Sequence, residues 1–247
     1  MKRKAIAKAT EKGNNRKARS GLIHAQLSGI RVSRSRVEVF CVAAPEPIKF
    51  DVFFDYLCPY VYRAAGLIDA VARSGDRELD VRWRYFSLTQ VNSKNDGWTV
   101  WNAPASELVR GRTAFRAAEA ARRQGRFDEF HSVLLAARHR DRLDIDDLDV
   151  VLGVAAAAGL DVGRLRSDMK DPAILESLAG DHTDGVEEYG VFGTPTFVFN
   201  GGAAAYIRLA DVTDADRAIE VFDHLLSVAA AEPRILEIKR PRRPMPA

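Results

Sequence analysis

The feature that most constrains this chain is an interruption: strand texture appears in two separate places, with a long helical stretch between them. Ile48, Phe50, Val52 and Phe54 alternate with Lys49, Asp51, Phe53 and Asp55, the period of a strand with at least one buried face. Pro59 suits the first position of a helix, where its missing N–H costs nothing. Val61, Ala65, Ile68 and Ala72, with Leu67 and Val71, carry helical spacing from there to Gly75. Leu79, Val81, Trp83 and Tyr85 alternate with charged neighbours as a second strand, completing a β-α-β unit whose crossover should be right-handed.

From Asn92 to about Gly185 only helical patterns follow, over roughly Ser106 to Gln124, Phe127 to Ala137, Ile145 to Ala158, Val162 to Met169 and Ala173 to Tyr189. Strand texture returns at Thr196 to Phe199, turns through Asn200-Gly201-Gly202, and resumes from Ala205 to Leu209. A last helix is predicted over Asp214 to Ala230. The class is therefore α/β, one sheet split by a helical insertion. The expected divisions are 45–92 and 186–232 for the two halves of the sheet layer and 93–185 for the insertion. A basic extension at 1–44 and a basic tail at 233–247 flank them.

Charge separates these parts. The net +3 hides 11 Lys or Arg against 2 Asp or Glu in residues 1–44, and 26 against 32 in the remainder, so the body is acidic. The extension lacks a sustained period and predicts a solvated, disordered arm. Without aromatic residues before Phe40 or a reading module behind it, nucleic acid is not an expected partner. Two cysteines, Cys41 and Cys58, cannot supply a disulfide framework, which favours a reducing compartment and a cytoplasmic protein. The longest uncharged apolar run, Val150 to Leu160, is about half the ~20 residues a membrane span needs, so no membrane partner is expected. The five histidines show no metal-ligand spacing, and the chain has no Walker loop, Gly-x-Gly-x-x-Gly run or Gly-x-Ser-x-Gly elbow.

The chemistry concentrates at Cys58. A cysteine that ends a strand and opens a helix through proline faces the orphan N–H groups and positive dipole end of that helix, which stabilise a thiolate. Asp55 would oppose that effect if its charge lies near the sulfur, and Arg63, one turn into the helix, could assist. The alternative is a small buried hydrophobe, the usual fate of a lone cysteine. The second piece is Gly193-Thr194-Pro195-Thr196-Phe197, where a Thr-Pro bond leads directly into a strand. A cis proline is expected there, baring backbone that can pair with an extended ligand, although a trans proline at a strand start is the other option. His182 could approach Cys58, while Trp98 and Trp101 either wall a pocket or, preferably, pack the insertion on the sheet. Arg110, Arg112, Arg116, Arg122 and Arg123, mixed with Glu107 and Glu119, read as a solvated helix face. Asp144, Asp146, Asp147 and Asp149 read as an acidic helix N-terminus.

Phe54-Asp55-Tyr56-Leu57-Cys58-Pro59-Tyr60, together with Val191-Phe192-Gly193-Thr194-Pro195-Thr196-Phe197, resembles the DsbA-like thioredoxin superfamily, over about Ile48 to Ala230. That group includes 2-hydroxychromene-2-carboxylate isomerases and kappa-class glutathione transferases. The resemblance implies a thioredoxin-like fold split by a helical domain, with Cys58 as the nucleophile and Thr194-Pro195 as a cis-proline loop. It also implies that Pro59, Tyr60, Thr194 and Pro195 border a small-thiol site, with a homodimer among the expected assemblies. Dithiol members read Cys-x-x-Cys, whereas Val61 stands here at the resolving position. Without that thiol no internal active-site disulfide can form. The expected activity is thiol-disulfide exchange through one cysteine and a mixed disulfide with a small thiol or disulfide. No cofactor is expected to be tightly bound, and glutathione or another low-molecular-weight thiol would visit. A thiol-cofactor-dependent isomerase or transferase, and a non-catalytic binding protein on the same scaffold, are the alternatives. Cys41 is a conceivable resolving partner.

Overall fold

The computed structural model describes residues 46–210 and 215–238, and the expectations for the basic extension, for Cys41 and for the tail from Lys239 onward lie outside them. β1 (Ile48–Phe54) and β2 (Leu79–Tyr85) pair in parallel, with Val52 opposite Trp83, and α1 (Pro59–Ser74) connects them. β3 (Thr196–Phe199) returns antiparallel on the other edge of β1, and β4 (Ala204–Tyr206) completes the order β2-β1-β3-β4. The α/β class and the interrupted sheet stand as the sequence predicts. β4 stops three residues earlier than expected, at Tyr206: Ile207 N–H still bonds the Pro195 carbonyl at 3.1 Å, but Pro195 has no N–H to return the bond, and the ladder ends there.

The central position of β1 explains its aromatic content. Phe50, Val52 and Phe54 enter the main core, whereas Phe53 points to the opposite face with Phe86, Val191 and Val198. On the first face α1 lies beside α8 (Ala215–Ala229), whose Phe222 ring meets Phe50 at 5.7 Å. On the second face α7 (Ala173–Tyr189) covers β1 and β2. It can do so because Gly185 has no side chain: a Cβ there would come within 2.8 Å of the Phe53 ring. Arg84 of β2 is buried and binds Asp181 at 2.9 Å and Asp184 at 2.5 Å, both on α7. The boundary expected at residue 185 thus falls inside a helix that packs on the sheet.

The insertion comprises α2 (Leu88–Val91), α3 (Arg112–Arg123), α4 (Phe127–His139), α5 (Leu148–Ala157) and α6 (Val162–Asp168). α3 begins six residues later than the helical pattern from Ser106 suggests. Gly111 has φ +81°, which a right-handed helix cannot pass, and its N–H bonds Asp146 at 2.6 Å. The expected solvated arginine face is also corrected. Arg112 is buried and donates to the carbonyls of Ala103, Pro104 and Glu107, and the Arg122 guanidinium lies 3.7 Å over the Phe127 ring. Of the acidic cluster, Asp147 caps α5 by accepting from Asp149 N–H at 2.8 Å.

Candidate active site

Cys58 is the N-cap of α1, in extended conformation, and Pro59 takes the first helical position. The turn before it is tied from three sides. Asp55 is fully buried and accepts from Leu57 N–H at 2.8 Å and from Leu88 N–H at 2.7 Å, joining the turn to α2. The Tyr56 carbonyl meets His139 Nε2 at 2.9 Å, and the Tyr56 hydroxyl meets His131 Nδ1 at 3.0 Å. Leu57 packs under Gly111, at the mouth of the insertion. The cysteine is therefore mounted on a braced turn with little freedom of its own.

The sulfur faces the other half of the fold. Cys58 Sγ donates to the Thr194 carbonyl at 3.2 Å, and the Thr194–Pro195 peptide is cis. These residues are 136 apart in the chain and meet because β1 and β3 are neighbours in the sheet. Cys58 is 6% exposed, so a reagent reaches it along one open edge. Pro59 is exposed at that edge, Tyr60 is half-buried, and Thr194 and Pro195 are buried beneath it. Phe192, 67% exposed, and Tyr206 stand beside the loop with ring centroids 5.0 Å apart. The Thr194 hydroxyl is buried and, among the described residues, has no hydrogen-bond partner.

Burial dominates the electrostatics under the site. It lifts the Asp55 carboxyl from 3.8 to about 6, against the two backbone N–H groups that favour its charge. Burial among aromatic rings, with the Arg122 charge adding to it, pushes His131 down to about 3, so this histidine is neutral. The Tyr56 phenol is held well above its ordinary 10.0 by the same desolvation. His182 accepts from Ser87 N–H at 3.2 Å and lies against Phe86 and Trp101, with burial bringing it down to about 4. Its hydrogen bond and ring contacts thus go to Ser87, Phe86 and Trp101, not to Cys58. Trp98 and Trp101 are half-buried against the core, and Trp98 Nε1 donates to Glu107 at 3.1 Å.

Sequence reasoning passed over Arg208. Its guanidinium donates to the Tyr60 hydroxyl at 2.9 Å and lies 4.4 Å over the Tyr60 ring. An arginine inside a predicted strand carries no local signal, and only the closing of β4 onto the proline loop brings it to α1. Val61 is buried at the position where a second thiol would stand.

Among the described residues no helix is long and apolar enough to cross a membrane. Relatives include a Na(+)/H(+) antiporter NhaA 1 from Mycobacterium sp. strain KMS, 31% identical over 157 residues, which are 63% of this chain and 22% of that protein. The chain thus spans about a fifth of the length of the curated relatives it matches. Among solved structures, a probable DsbA oxidoreductase from Streptomyces coelicolor superposes with a TM-score of 0.54 at 20% identity, over 81% of this chain and 94% of that one. A 2-hydroxychromene-2-carboxylate isomerase superposes with a TM-score of 0.52 at 15% identity, over 77% and 100%. Both likenesses concern the fold. The profile of the DSBA-like thioredoxin domain matches residues 49–225, most of the chain, and the protein belongs to that family.

Proposed function

We propose that this protein is a thiol-disulfide oxidoreductase that works through Cys58 alone and passes through a mixed disulfide with a low-molecular-weight thiol such as glutathione. The observation that carries the reading is the contact of Cys58 Sγ with the Thr194 carbonyl beside Pro195, at a helix N-terminus. The thiolate attacks one sulfur of a small disulfide, the bond to Cys58 forms as the substrate S–S bond breaks, and the departing thiolate takes up a proton. A second small thiol then releases the adduct, since Val61 offers no internal thiol. Nothing in this cycle needs a tightly held cofactor, and the two cysteines of the chain suit a reducing, cytoplasmic setting. Incubation with oxidised glutathione should add one glutathionyl group by intact mass, and Cys58→Ser should abolish it. A wild-type protein that takes no adduct from any small disulfide refutes the reading.

A second reading, a thiol-cofactor-dependent isomerase or transferase, draws on the same cis-proline backbone, whose Thr194 carbonyl meets Cys58 Sγ where a cofactor thiol would lie. Cys58→Ser separates the two, because isomerisation with added thiol would survive the substitution and exchange would not.

A further inference from the structure

We propose that Arg208 sets the substrate class of this site: small disulfides and thiols bearing a carboxylate, held by its guanidinium while Cys58 exchanges with their sulfur. The inference rests on Cys58 being the nucleophile. Arg208 is fixed from both halves of the fold. Ile207, its neighbour, bonds the Pro195 carbonyl at 3.1 Å, and Arg208 itself bonds the hydroxyl of Tyr60, two residues after Cys58. Arg63 flanks the same ring at 5.4 Å and donates to the Leu209 carbonyl at 3.2 Å, holding this segment against α1. The guanidinium is thereby kept over the side chain of Tyr60, on the first turn of the helix that Cys58 caps.

Arg77, Arg84, Arg123 and Arg140 each close on a carboxylate, but among the described residues no carboxylate pairs with Arg208, which bonds a neutral phenol. Arg208 is also exposed, with its remaining N–H donors available to solvent. An arginine held over Tyr60, two residues past Cys58, and carrying no carboxylate among the described residues is arranged to receive an anion there. In the exchange step Cys58 sulfur is oxidised as its bond to the carboxylate-bearing sulfur forms. The substrate S–S bond breaks, and the second sulfur leaves reduced with the proton that Cys58 gave up.

Three disulfides of similar size test this: 3,3′-dithiodipropionate (anionic), bis(2-hydroxyethyl) disulfide (neutral) and cystamine (cationic). The rate of adduct formation on Cys58 should fall in that order in the wild type, and the order should compress as salt is raised. In Arg208→Gln the ratio of anionic to cationic rates should drop about tenfold, the scale of one charge-assisted hydrogen bond, and Arg208→Lys should retain most of it. A wild type that labels at equal rates with all three, or an Arg208→Gln ratio equal to that of wild type, overturns the carboxylate site and leaves Cys58 as nucleophile standing. Failure of Cys58 to react even with the neutral disulfide overturns the nucleophile reading, and this one with it.

Discussion

Replacing Asp55 with Asn should remove a specific dependence of stability on pH. The carboxyl is fully buried, and its oxygens accept from Leu57 and Leu88 N–H, yet desolvation lifts it to about 6 from an ordinary 3.8. A raised value means that the folded state holds the proton more tightly than the unfolded chain does. The stability this group contributes is fully present below pH 3.8 and is lost as pH rises through about 6. At ~1.36 kcal/mol per pH unit, the gap between those two values amounts to about 3 kcal/mol. Asn keeps the shape but cannot titrate, and its NH2 must face one of the two backbone N–H groups, a mismatch of ~1–3 kcal/mol. Urea unfolding of both proteins should be followed at intervals from about pH 4 to 7.5, the span of that titration, and the two stabilities subtracted. His131 and His182, whose lowered values give the opposite slope, cancel in the difference. The wild-type advantage should shrink by about 3 kcal/mol toward neutrality, leaving the Asn protein as stable or more so at pH 7. A difference that is constant, or that grows with pH, would refute a buried carboxyl of this kind.

Other consequences are as direct. His131→Gln should flatten the acid side of the wild-type stability curve. A neutral buried imidazole contributes stability above pH 6.5 that is lost as pH falls through about 3, and an unchanged slope in acid urea titrations would count against it. Gly185→Ala should destabilise by ~1–3 kcal/mol in urea, because its Cβ would lie 2.8 Å from the buried Phe53 ring, and overpacking there outweighs the better helix propensity of alanine. Arg112→Lys should cost about 3 kcal/mol rather than behave conservatively, since one ammonium cannot span the three carbonyls the guanidinium joins; a melting temperature equal to wild type would disprove that role.

What was legible in the sequence follows from the range of the forces involved. Alternation in β1 and β2, helical spacing in α1 and the proline after Cys58 are local signals, and each stands in the structure. The pairing of Cys58 with Thr194 was readable only through the resemblance, because it depends on β1 and β3 becoming sheet neighbours. Arg112 shows the limit of counting charges. An arginine in a charged run reads as solvated, and what buries it is a loop whose carbonyls need a donor. Arg208 was hidden for a related reason, since its partner Tyr60 comes from another segment; Asp55 was singled out as a charge beside Cys58, but its burial and its bond to Leu88 N–H were not readable.

Val61 is where the departure from a dithiol site can be tested directly. It is buried in the first turn of α1, three residues after Cys58, and its N–H bonds the Cys58 carbonyl at 3.1 Å. Residues at this spacing share a helix face. Val61→Cys trades two methyl groups for a sulfur, which should cost no more than ~0.5–1.5 kcal/mol of stability. Loaded with oxidised glutathione and freed of excess reagent, the wild type should keep its adduct until a thiol is added. In Val61→Cys the new thiolate can attack the Cys58 sulfur, expelling glutathione as its thiolate and closing a disulfide between positions 58 and 61. Intact mass should then show the adduct lost with time and a product two hydrogens lighter than the reduced variant. If Val61→Cys holds its adduct as long as the wild type does, the valine is not what confines this site to one-thiol chemistry, and the geometry of Cys58 itself must be what blocks the second step.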